Sequence, residues 1–190
     1  MYGGADDTEF HDDVRLLQIT KGMVWQELHP QEAGPSKPKG RVGHSMCGLE
    51  GNGPSSLLVF GGAVKADQIM DQTQSANLAN VTLPAPFLAG SCRATNDTLL
   101  FNTTNSTWQE VEAKGEPARF FHAGALCGSN YVVHGGLGDD HKPLDCLHAL
   151  DTTTMTWSKQ TTKGDVPSAR YGHAAVYQAD TREMYLFGGA

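Results

Sequence analysis

The chain contains no apolar run of 18 residues, and its start has no basic segment followed by an apolar core. The sequence therefore predicts neither a membrane-spanning helix nor a secretory signal peptide. Basic residues are also few, since 14 Lys and Arg stand against 21 Asp and Glu and leave a formal net charge of −7. Nucleic acids and anionic membranes attract clustered positive charge, so neither is expected as a partner. We interpret the chain as a soluble cytoplasmic protein.

Catalytic and metal-binding motifs are scarce as well. The sequence has no Gly-x-Ser-x-Gly turn, no phosphate-cradling glycine loop and no paired carboxylates at strand ends. Its four cysteines are widely spaced, without a Cys-x-x-Cys pair, and are interpreted as buried thiols. We expect no enzyme activity, no cofactor and no metal site.

What the chain has in quantity is turn-forming sequence. It contains 22 glycines and 9 prolines with 39% hydrophobic residues, and no segment has the pattern of a useful helix. Short runs of β-forming residues end at double glycines, and two turns rich in Asn, Asp and Thr each precede a tryptophan. This composition favours an all-β domain rich in turns.

One series of signals occurs three times. Each copy opens with Arg-x-x-His, continues through an apolar strand that ends at Gly-Gly, and leads to a further strand-like segment with Trp. The Arg-x-x-His copies are residues 41–44, 119–122 and 170–173, the double glycines are residues 61–62, 135–136 and 188–189, and the tryptophans are Trp25, Trp108 and Trp157. Arg119 and Arg170 open copies that are about 50 residues apart. The chain is therefore interpreted as a repeat protein.

In this order the motifs resemble the kelch repeat along nearly the whole chain. The resemblance implies an all-β fold in which each kelch β-propeller blade is a four-stranded antiparallel sheet. We expect a partial propeller of about three blade equivalents. Its parts are a half blade at about 12–28, a blade at 41–111, a blade at 119–160 and a half blade at 170–190.

Three blades are too few to close a propeller, which usually has about four to eight. Two arrangements stay open. In the first, the chain is a fragment of a longer kelch protein that supplies further blades. In the second, two copies form a homodimer that closes a six-bladed ring, and residues 170–190 of one copy complete the blade begun by residues 12–28 of the other.

The residues that recur in every copy are predicted to be structural. The histidine of each Arg-x-x-His copy falls once per repeat, so it is expected to form a hydrogen bond within its own blade and not to bind a metal. These histidines are His44, His122 and His173. The tryptophans are expected to pack between neighbouring blades.

A partner-binding surface is predicted on one face of the propeller. The connections from strand two to strand three, and from strand four to the next blade, emerge on the same face. One such connection carries a long insertion at 63–91, which includes an apolar, proline-rich segment with Phe87 and Leu88. This segment is interpreted either as a lid packed on the blade or as a docking strip for a partner.

Arg41, Arg119 and Arg170 each start an innermost strand and are expected near the central opening on that face. In kelch domains that capture acidic peptides, arginines at this place contact the carboxylates of the ligand. The resemblance therefore implies a protein partner with an acidic peptide segment. Phe120 and Phe121 are expected to add aromatic surface beside Arg119. The alternative is that each arginine pairs with an acidic residue of its own domain.

These features predict a non-enzymatic protein–protein interaction module, or adaptor, that binds a partner through the loop face of a kelch propeller. One alternative is a propeller enzyme or metal-binding site in the region from Asp139 to His148, although its side chains follow no recognised ligand spacing. The other alternative is a structural building block of a larger assembly.

Overall fold

The computed structural model describes residues 1–7, 9–30, 37–49, 55–66, 92–113 and 115–190. Over these residues the chain forms fifteen short strands and one 3-10 helix at Ile19–Lys21. The strands are β1 (Val14–Gln18), β2 (Val24–Leu28), β3 (Arg41–Val42), β4 (Ser45–Leu49), β5 (Ser56–Phe60), β6 (Ala63–Lys65), β7 (Cys92–Ala94), β8 (Thr98–Asn102), β9 (Thr107–Val111), β10 (Ala123–Cys127), β11 (Asn130–His134), β12 (Leu147–Asp151), β13 (Thr156–Gln160), β14 (Ala174–Gln178) and β15 (Glu183–Phe187). Within the described ranges no helix is long and apolar enough to cross a membrane.

Two four-stranded antiparallel sheets form the centre of the fold. One has the strand order β4-β5-β8-β9 and the other has the order β10-β11-β12-β13. A two-stranded hairpin precedes them in sequence, β1-β2, and another follows, β14-β15. These sheets confirm the predicted all-β architecture of four-stranded blades in a partial propeller. The boundaries expected for the repeats stay a prediction.

The central strands of a blade are buried on both faces, which explains why their sequences are continuously apolar. Leu58, Val59 and Phe60 of β5 are all 0% exposed. Because successive side chains of a strand point to opposite faces, Val59 joins the cluster around Tyr2 on one side. Leu58 and Phe60 join the cluster around Tyr131 of the next blade on the other side. Each blade thus packs against both of its neighbours.

Short polar side chains form the turns of the outer hairpins. The Asn102 side-chain oxygen accepts a hydrogen bond from the backbone N–H of Thr104 at 2.9 Å. Asp151 accepts one from the backbone N–H of Thr153 at 2.8 Å in the equivalent turn of the next blade. Such side chains stabilise a turn by bonding the backbone two residues on. The chain is thereby reversed into β9 and β13, the strands that carry the tryptophans.

Two of the three tryptophans pack between neighbouring blades, as expected. The Trp108 ring lies 4.7 Å from that of Tyr2, and the Trp157 ring lies 4.5 Å from that of Phe60. Trp25 of β2 differs, because 57% of its surface is exposed. The hairpin β1-β2 is the first of the chain, so no described blade stands before it to receive this ring.

A three-stranded sheet forms where the connections between strands meet. β6 pairs with β3 on one side and with β7 on the other. β3 lies just before the first strand of a blade, in the connection from the preceding blade. β6 and β7 belong to the connection between the second and third strands of the same blade. Because these strands pair in one sheet, both connections emerge on the same face. We call this face the loop face. The insertion expected at 63–91 begins in β6, and residues 67–91, including Phe87 and Leu88, lie outside the described residues.

Candidate functional site

The arginine of each Arg-x-x-His copy binds the first glycine of the Gly-Gly pair in its own repeat. The Nη1 atom of the guanidinium donates to the glycine carbonyl oxygen in all three copies. The pairs are Arg41 with Gly61 (3.0 Å), Arg119 with Gly135 (2.9 Å) and Arg170 with Gly188 (3.2 Å). The two sequence motifs are therefore one structural unit, in which a charged side chain ties the entrance of strand one to the end of strand two.

Arg119 is enclosed by titratable side chains. It is 0% exposed and forms an ion pair with the buried carboxylate of Glu116. Its Nη2 atom also lies 3.3 Å from Cys146 Sγ and 3.3 Å from His148 Nδ1. Burial raises the pKa of Glu116 to about 7, although the Arg119 charge opposes the rise. Burial and that same charge lower the pKa of His148 to about 4, so His148 is neutral at pH 7.

The other two arginines differ in their access to solvent. Arg41 is 1% exposed, and its Nη2 atom lies 3.0 Å from Asp97 Oδ2. Arg170 is half-buried and donates to the Ser168 hydroxyl at 3.2 Å. Arg41 and Arg119 thus pair with acidic residues of their own domain. Contact between the three arginines and a partner stays a prediction, and for the two buried ones it requires their internal ion pairs to open.

The histidine of each copy contacts the residue that precedes Gly-Gly in the preceding blade. The ring pairs are His44 with Tyr2 (5.5 Å between centroids), His122 with Phe60 (5.2 Å) and His173 with His134 (5.1 Å). The hydrogen bonds of these rings also cross to the preceding blade, because His122 Nε2 lies 2.5 Å from Ser45 Oγ and His173 Nε2 lies 3.1 Å from His134 Nδ1. Among the described residues the Nδ1 atom of each of the three histidines has no hydrogen-bond partner, so the expectation of a hydrogen bond within each blade is wrong. Strand one of a blade begins beside the end of strand two of its neighbour, and this proximity makes the histidine an inter-blade contact.

Burial keeps these histidines uncharged. It lowers the pKa of His44 to about 4 and the pKa of His122 well below its ordinary value. His134, which stands where Phe60 stands in the preceding blade, is 2% exposed, and burial lowers its pKa to about 4. Its Nδ1 atom lies 3.1 Å from His173 Nε2, so one neutral ring donates to the other. This bond satisfies a polar side chain at a buried position.

The two adjacent phenylalanines have different positions. Phe120 is 0% exposed and packs with Leu137 in the core, so it adds no exposed aromatic surface. Phe121 is half-buried and has a φ of +53°. Gly43 and Gly172 hold the same place in the other two copies, with φ of +65° and +68°. Backbone hydrogen bonds join the three residues, because Phe121 N–H donates to Gly43 O at 2.7 Å and Gly172 N–H donates to Phe121 O at 2.8 Å.

A cleft of about 260 Å³ opens on the loop face beside the connection that leads from β2 into β3. Its basic lining side chains are Lys37, Lys39, Arg41 and Arg93. Of these, only Arg41 was expected from the sequence as a site residue. Arg93 could have been found from the alternation in β7, where it is exposed between the buried Cys92 and Ala94.

Comparison with known proteins decides the family. Residues 87–190, more than half of the chain, match the family profile described as the KLHDC2/KLHL20/DRC7 Kelch-repeats domain. The chain belongs to the kelch repeat family. The predicted resemblance is thereby confirmed.

Curated relatives of this kelch chain match it over almost its full length. Acyl-CoA-binding domain-containing protein 5 of Arabidopsis thaliana is 38% identical, over 100% of this chain and 34% of the relative. Rab9 effector protein with kelch motifs of Mus musculus is 31% identical, over 98% of this chain and 41% of the relative. Kelch domain-containing protein 3 of Homo sapiens is 27% identical, over 100% and 44%. The chain spans between a third and a half of the length of these relatives. Kelch homologues are generally non-enzymatic interaction proteins.

The region from Asp139 to His148 spreads its polar side chains over the kelch fold. Asp139 Oδ1 accepts a hydrogen bond from Ala94 N–H at 2.9 Å, Asp140 lies 2.9 Å from Lys142 Nζ, and His148 is buried beside Arg119. These side chains have separate partners and do not converge on one point. Within the described part of the chain, the group of side chains close enough to share an ion consists of Asp6, Glu9 and His11, at a largely exposed position.

Proposed function

We propose that the chain is a non-enzymatic adaptor that binds a protein partner through the loop face. The backbone of Phe121, with its φ of +53°, carries the proposal. A non-glycine residue in this region costs roughly 1–2 kcal/mol, and the other two copies avoid the cost because glycine stands there. Folding alone therefore does not require Phe121. Backbone strain of this kind concentrates at functional positions.

The neighbouring blade holds the Phe121 ring in place. A Cβ atom added at Gly43 would come within 2.7 Å of the ring, so the absence of a side chain at Gly43 makes the space in which the ring lies. The backbone hydrogen bonds of Phe121 to Gly43 and Gly172 restrain it further. A partner would thus meet an aromatic side chain that is already oriented, which lowers the entropic cost of binding.

The remaining repeat residues are engaged within the chain. The buried arginines hold glycine carbonyls and acidic side chains, the histidines pack between blades, and two of the tryptophans do the same. The connections on the loop face differ from copy to copy, and such loops are where a rigid scaffold carries recognition. The mouse relative is named as an effector of Rab9, which supports a protein as the class of partner.

Site-specific photocrosslinking tests the proposal. Phe121 is replaced by p-benzoylphenylalanine, which keeps an aromatic ring at the position. The matched control carries the same amino acid at Thr153, in an exposed turn between β12 and β13 on the opposite face. Purified Rab9, which the name of the mouse relative suggests, is the first candidate, and an extract of the cells that make the protein is the second.

We expect a discrete crosslinked protein from position 121 and none from position 153, with the crosslink suppressed by an excess of unmodified chain. The Phe121→Gly variant should stay folded, since it matches the other two copies, and should fail to suppress the crosslink. Equal crosslinking from both positions, or none from position 121, would contradict binding at the loop face.

A further inference from the structure

The cleft on the loop face joins residues from distant parts of the sequence. The connection after β2 contributes Lys37 and Lys39, β7 contributes Arg93, and the outer strand β9 contributes Glu110. We infer that this cleft binds an acidic segment of the partner protein, through contacts to the carboxylates of that segment. The inference rests on the proposed function and adds to it the location of the site and the chemistry of the ligand.

The cleft concentrates positive charge in an acidic protein. Four of the chain's 14 Lys and Arg side chains line it, against two carboxylates, Asp97 and Glu110, although the whole chain has a net charge of −7. A cleft lined mainly by one sign of charge focuses the electrostatic field and raises the local concentration of oppositely charged ligands. An acidic peptide is therefore drawn to this place in spite of the overall charge.

The basic side chains are held to different degrees. Arg41 is fixed by Gly61 O at 3.0 Å and by Asp97 at 3.0 Å, and Lys37 Nζ lies 2.9 Å from Asp12 Oδ1. The Arg93 side chain is exposed and has no hydrogen-bond or ion-pair partner among the residues that the structure describes. Its guanidinium can meet a ligand carboxylate with two parallel hydrogen bonds.

Three buried apolar side chains contribute to the lining of the cleft. Val64 is 3% exposed, Leu99 is 4% exposed and Trp108 is 6% exposed, and all three line the cleft. Such low-dielectric side chains strengthen the attraction between Arg93 and a bound carboxylate relative to the same pair in open water.

The two carboxylates of the lining favour a peptide over a nucleic acid or a free phosphate. Asp97 and Glu110 can accept hydrogen bonds but cannot contact a phosphate favourably at neutral pH. A peptide carries both acidic side chains and backbone N–H groups, so it can satisfy the basic and the acidic parts of the cleft together. A polyanion satisfies only the basic part.

Fluorescence anisotropy with the full chain tests the inference. The probe is a fluorescein-labelled peptide of twelve residues in which Glu and Gly alternate, and the comparison peptide has Gln in place of Glu. The variants are Arg93→Glu and Arg93→Gln, where the second removes the charge without reversing it. The control is Lys21→Glu, which makes the same change of charge as Arg93→Glu but lies between β1 and β2 on the opposite face.

We expect the Glu peptide to bind and the Gln peptide to bind at least about tenfold more weakly, since one charge-assisted contact corresponds to about a factor of ten. Arg93→Gln should weaken the Glu peptide about tenfold and Arg93→Glu should weaken it more, whereas Lys21→Glu should change it less than about twofold because distant charges are screened. Circular dichroism of each variant shows that the fold is retained.

Three results would overturn the inference: equal binding of the two peptides, an equal effect of Arg93→Glu and Lys21→Glu, or stronger binding of a twelve-nucleotide thymidine strand than of the Glu peptide. The outcome is separate from that of the crosslinking experiment. If a partner crosslinks to position 121 while the Glu peptide does not bind, the loop face is a binding surface and the cleft is not its acidic-segment site.

Discussion

The guanidinium of Arg119 donates to the carbonyl oxygen of Gly135 at 2.9 Å, across 16 positions of sequence. Two short motifs, Arg-x-x-His and Gly-Gly, are thereby joined by one bond in the interior of a blade. The bond recurs in the copies before and after, with Gly61 and with Gly188. Arg119, which was expected to contact a ligand, therefore stabilises its own blade.

Breaking the buried pair of Arg119 and Glu116 should destabilise the chain strongly. The Arg119→Met variant leaves a buried carboxylate without its partner, so we expect a loss of about 3–5 kcal/mol in the free energy of unfolding. The double variant Arg119→Met, Glu116→Leu should lose less than the single variant, because no uncompensated charge is left. Urea unfolding measures both. An equal loss in the two variants would show that the charge of Glu116 is not what makes the single change costly.

The third arginine offers the matched control for that experiment. Arg170 forms the same bond to its glycine carbonyl but is half-buried. Arg170→Met should therefore cost no more than about 1 kcal/mol, which is typical of a hydrogen bond lost at the surface. A loss as large as that of Arg119→Met would contradict the importance of burial.

The stability of the chain should fall when the pH is lowered from about 6.5 towards 4. The pKa values of His44, His134 and His148 lie at about 4 in the folded chain, below the ordinary histidine value of 6.5. Between these two pH values the unfolded chain binds more protons than the folded chain, so unfolding is favoured by acid. Each pKa unit corresponds to about 1.4 kcal/mol at most for a single group.

Glu116 should work against this loss. Its pKa of about 7 lies above the ordinary value of 4.5, so between these values the folded chain holds a proton that the unfolded chain releases. Its contribution to stability is fully present at low pH and is lost as the pH rises towards 7. Glu116→Gln should therefore make the dependence on pH steeper between pH 4.5 and 7. Urea unfolding at a series of pH values measures this, and a shallower curve in the variant would contradict the assignment.

Trp157 should be far more important for stability than Trp25. Trp157 is 6% exposed, packs on Phe60 of the preceding blade and donates to the Thr98 hydroxyl at 3.4 Å. Trp157→Ala should cost about 3–5 kcal/mol. Trp25→Ala makes the same chemical change at a side chain that is 57% exposed, and should cost less than about 1 kcal/mol. Thermal unfolding of the two variants measures the loss of stability in each. Equal losses would contradict inter-blade packing as the cause.

The isolated chain should be a monomer in solution. Met1 O accepts a hydrogen bond from Arg15 N–H at 2.8 Å, and Tyr2 forms a bridge with Val14. In a six-bladed ring closed by two copies, the strand of the second copy that contains Phe187 would have to pair with this edge of β1. Light scattering over a range of concentrations measures the mass. A stable dimer at all concentrations would show that residues 1–5 leave this edge.

A control variant separates ring closure from weak association. Phe187 is 85% exposed, so Phe187→Lys should abolish any mass increase that comes from apolar contact at the free edge of β15. If the mass is that of a monomer in both proteins, the free edge does not associate with itself. Charged residues on strand edges oppose edge-to-edge pairing.

Much of the fold could be predicted because its signals are local. The turns at Asn102 and Asp151 depend on a side chain that bonds the backbone two residues away, and the residues before each double glycine alternate between two buried faces. The packing of Trp108 and Trp157 follows from their place in the repeat. Trp25 departs from the pattern because its packing needs a neighbouring blade, which no local signal supplies.

The candidate site was harder to predict because its contacts are not local. Arg41 pairs with Asp97, 56 positions later, while the equivalent Arg119 pairs with Glu116, only three positions earlier. Identical motifs thus have acidic partners from different parts of the chain. The inter-blade contacts of the histidines were missed for the same reason, since their partners belong to the preceding blade.

The sequence by itself determined the repeat, the strands and the order of the blades, because hydrophobic alternation, turn residues and glycines act over a few positions along the chain. Only the tertiary structure decided which groups are exposed. Phe120 is buried while Phe121 is partly exposed, and Arg93 joins Lys37 in one cleft while Arg119 is enclosed. Such differences arise when segments far apart in sequence pack together, and burial, charge pairing and access to solvent are properties of that packing.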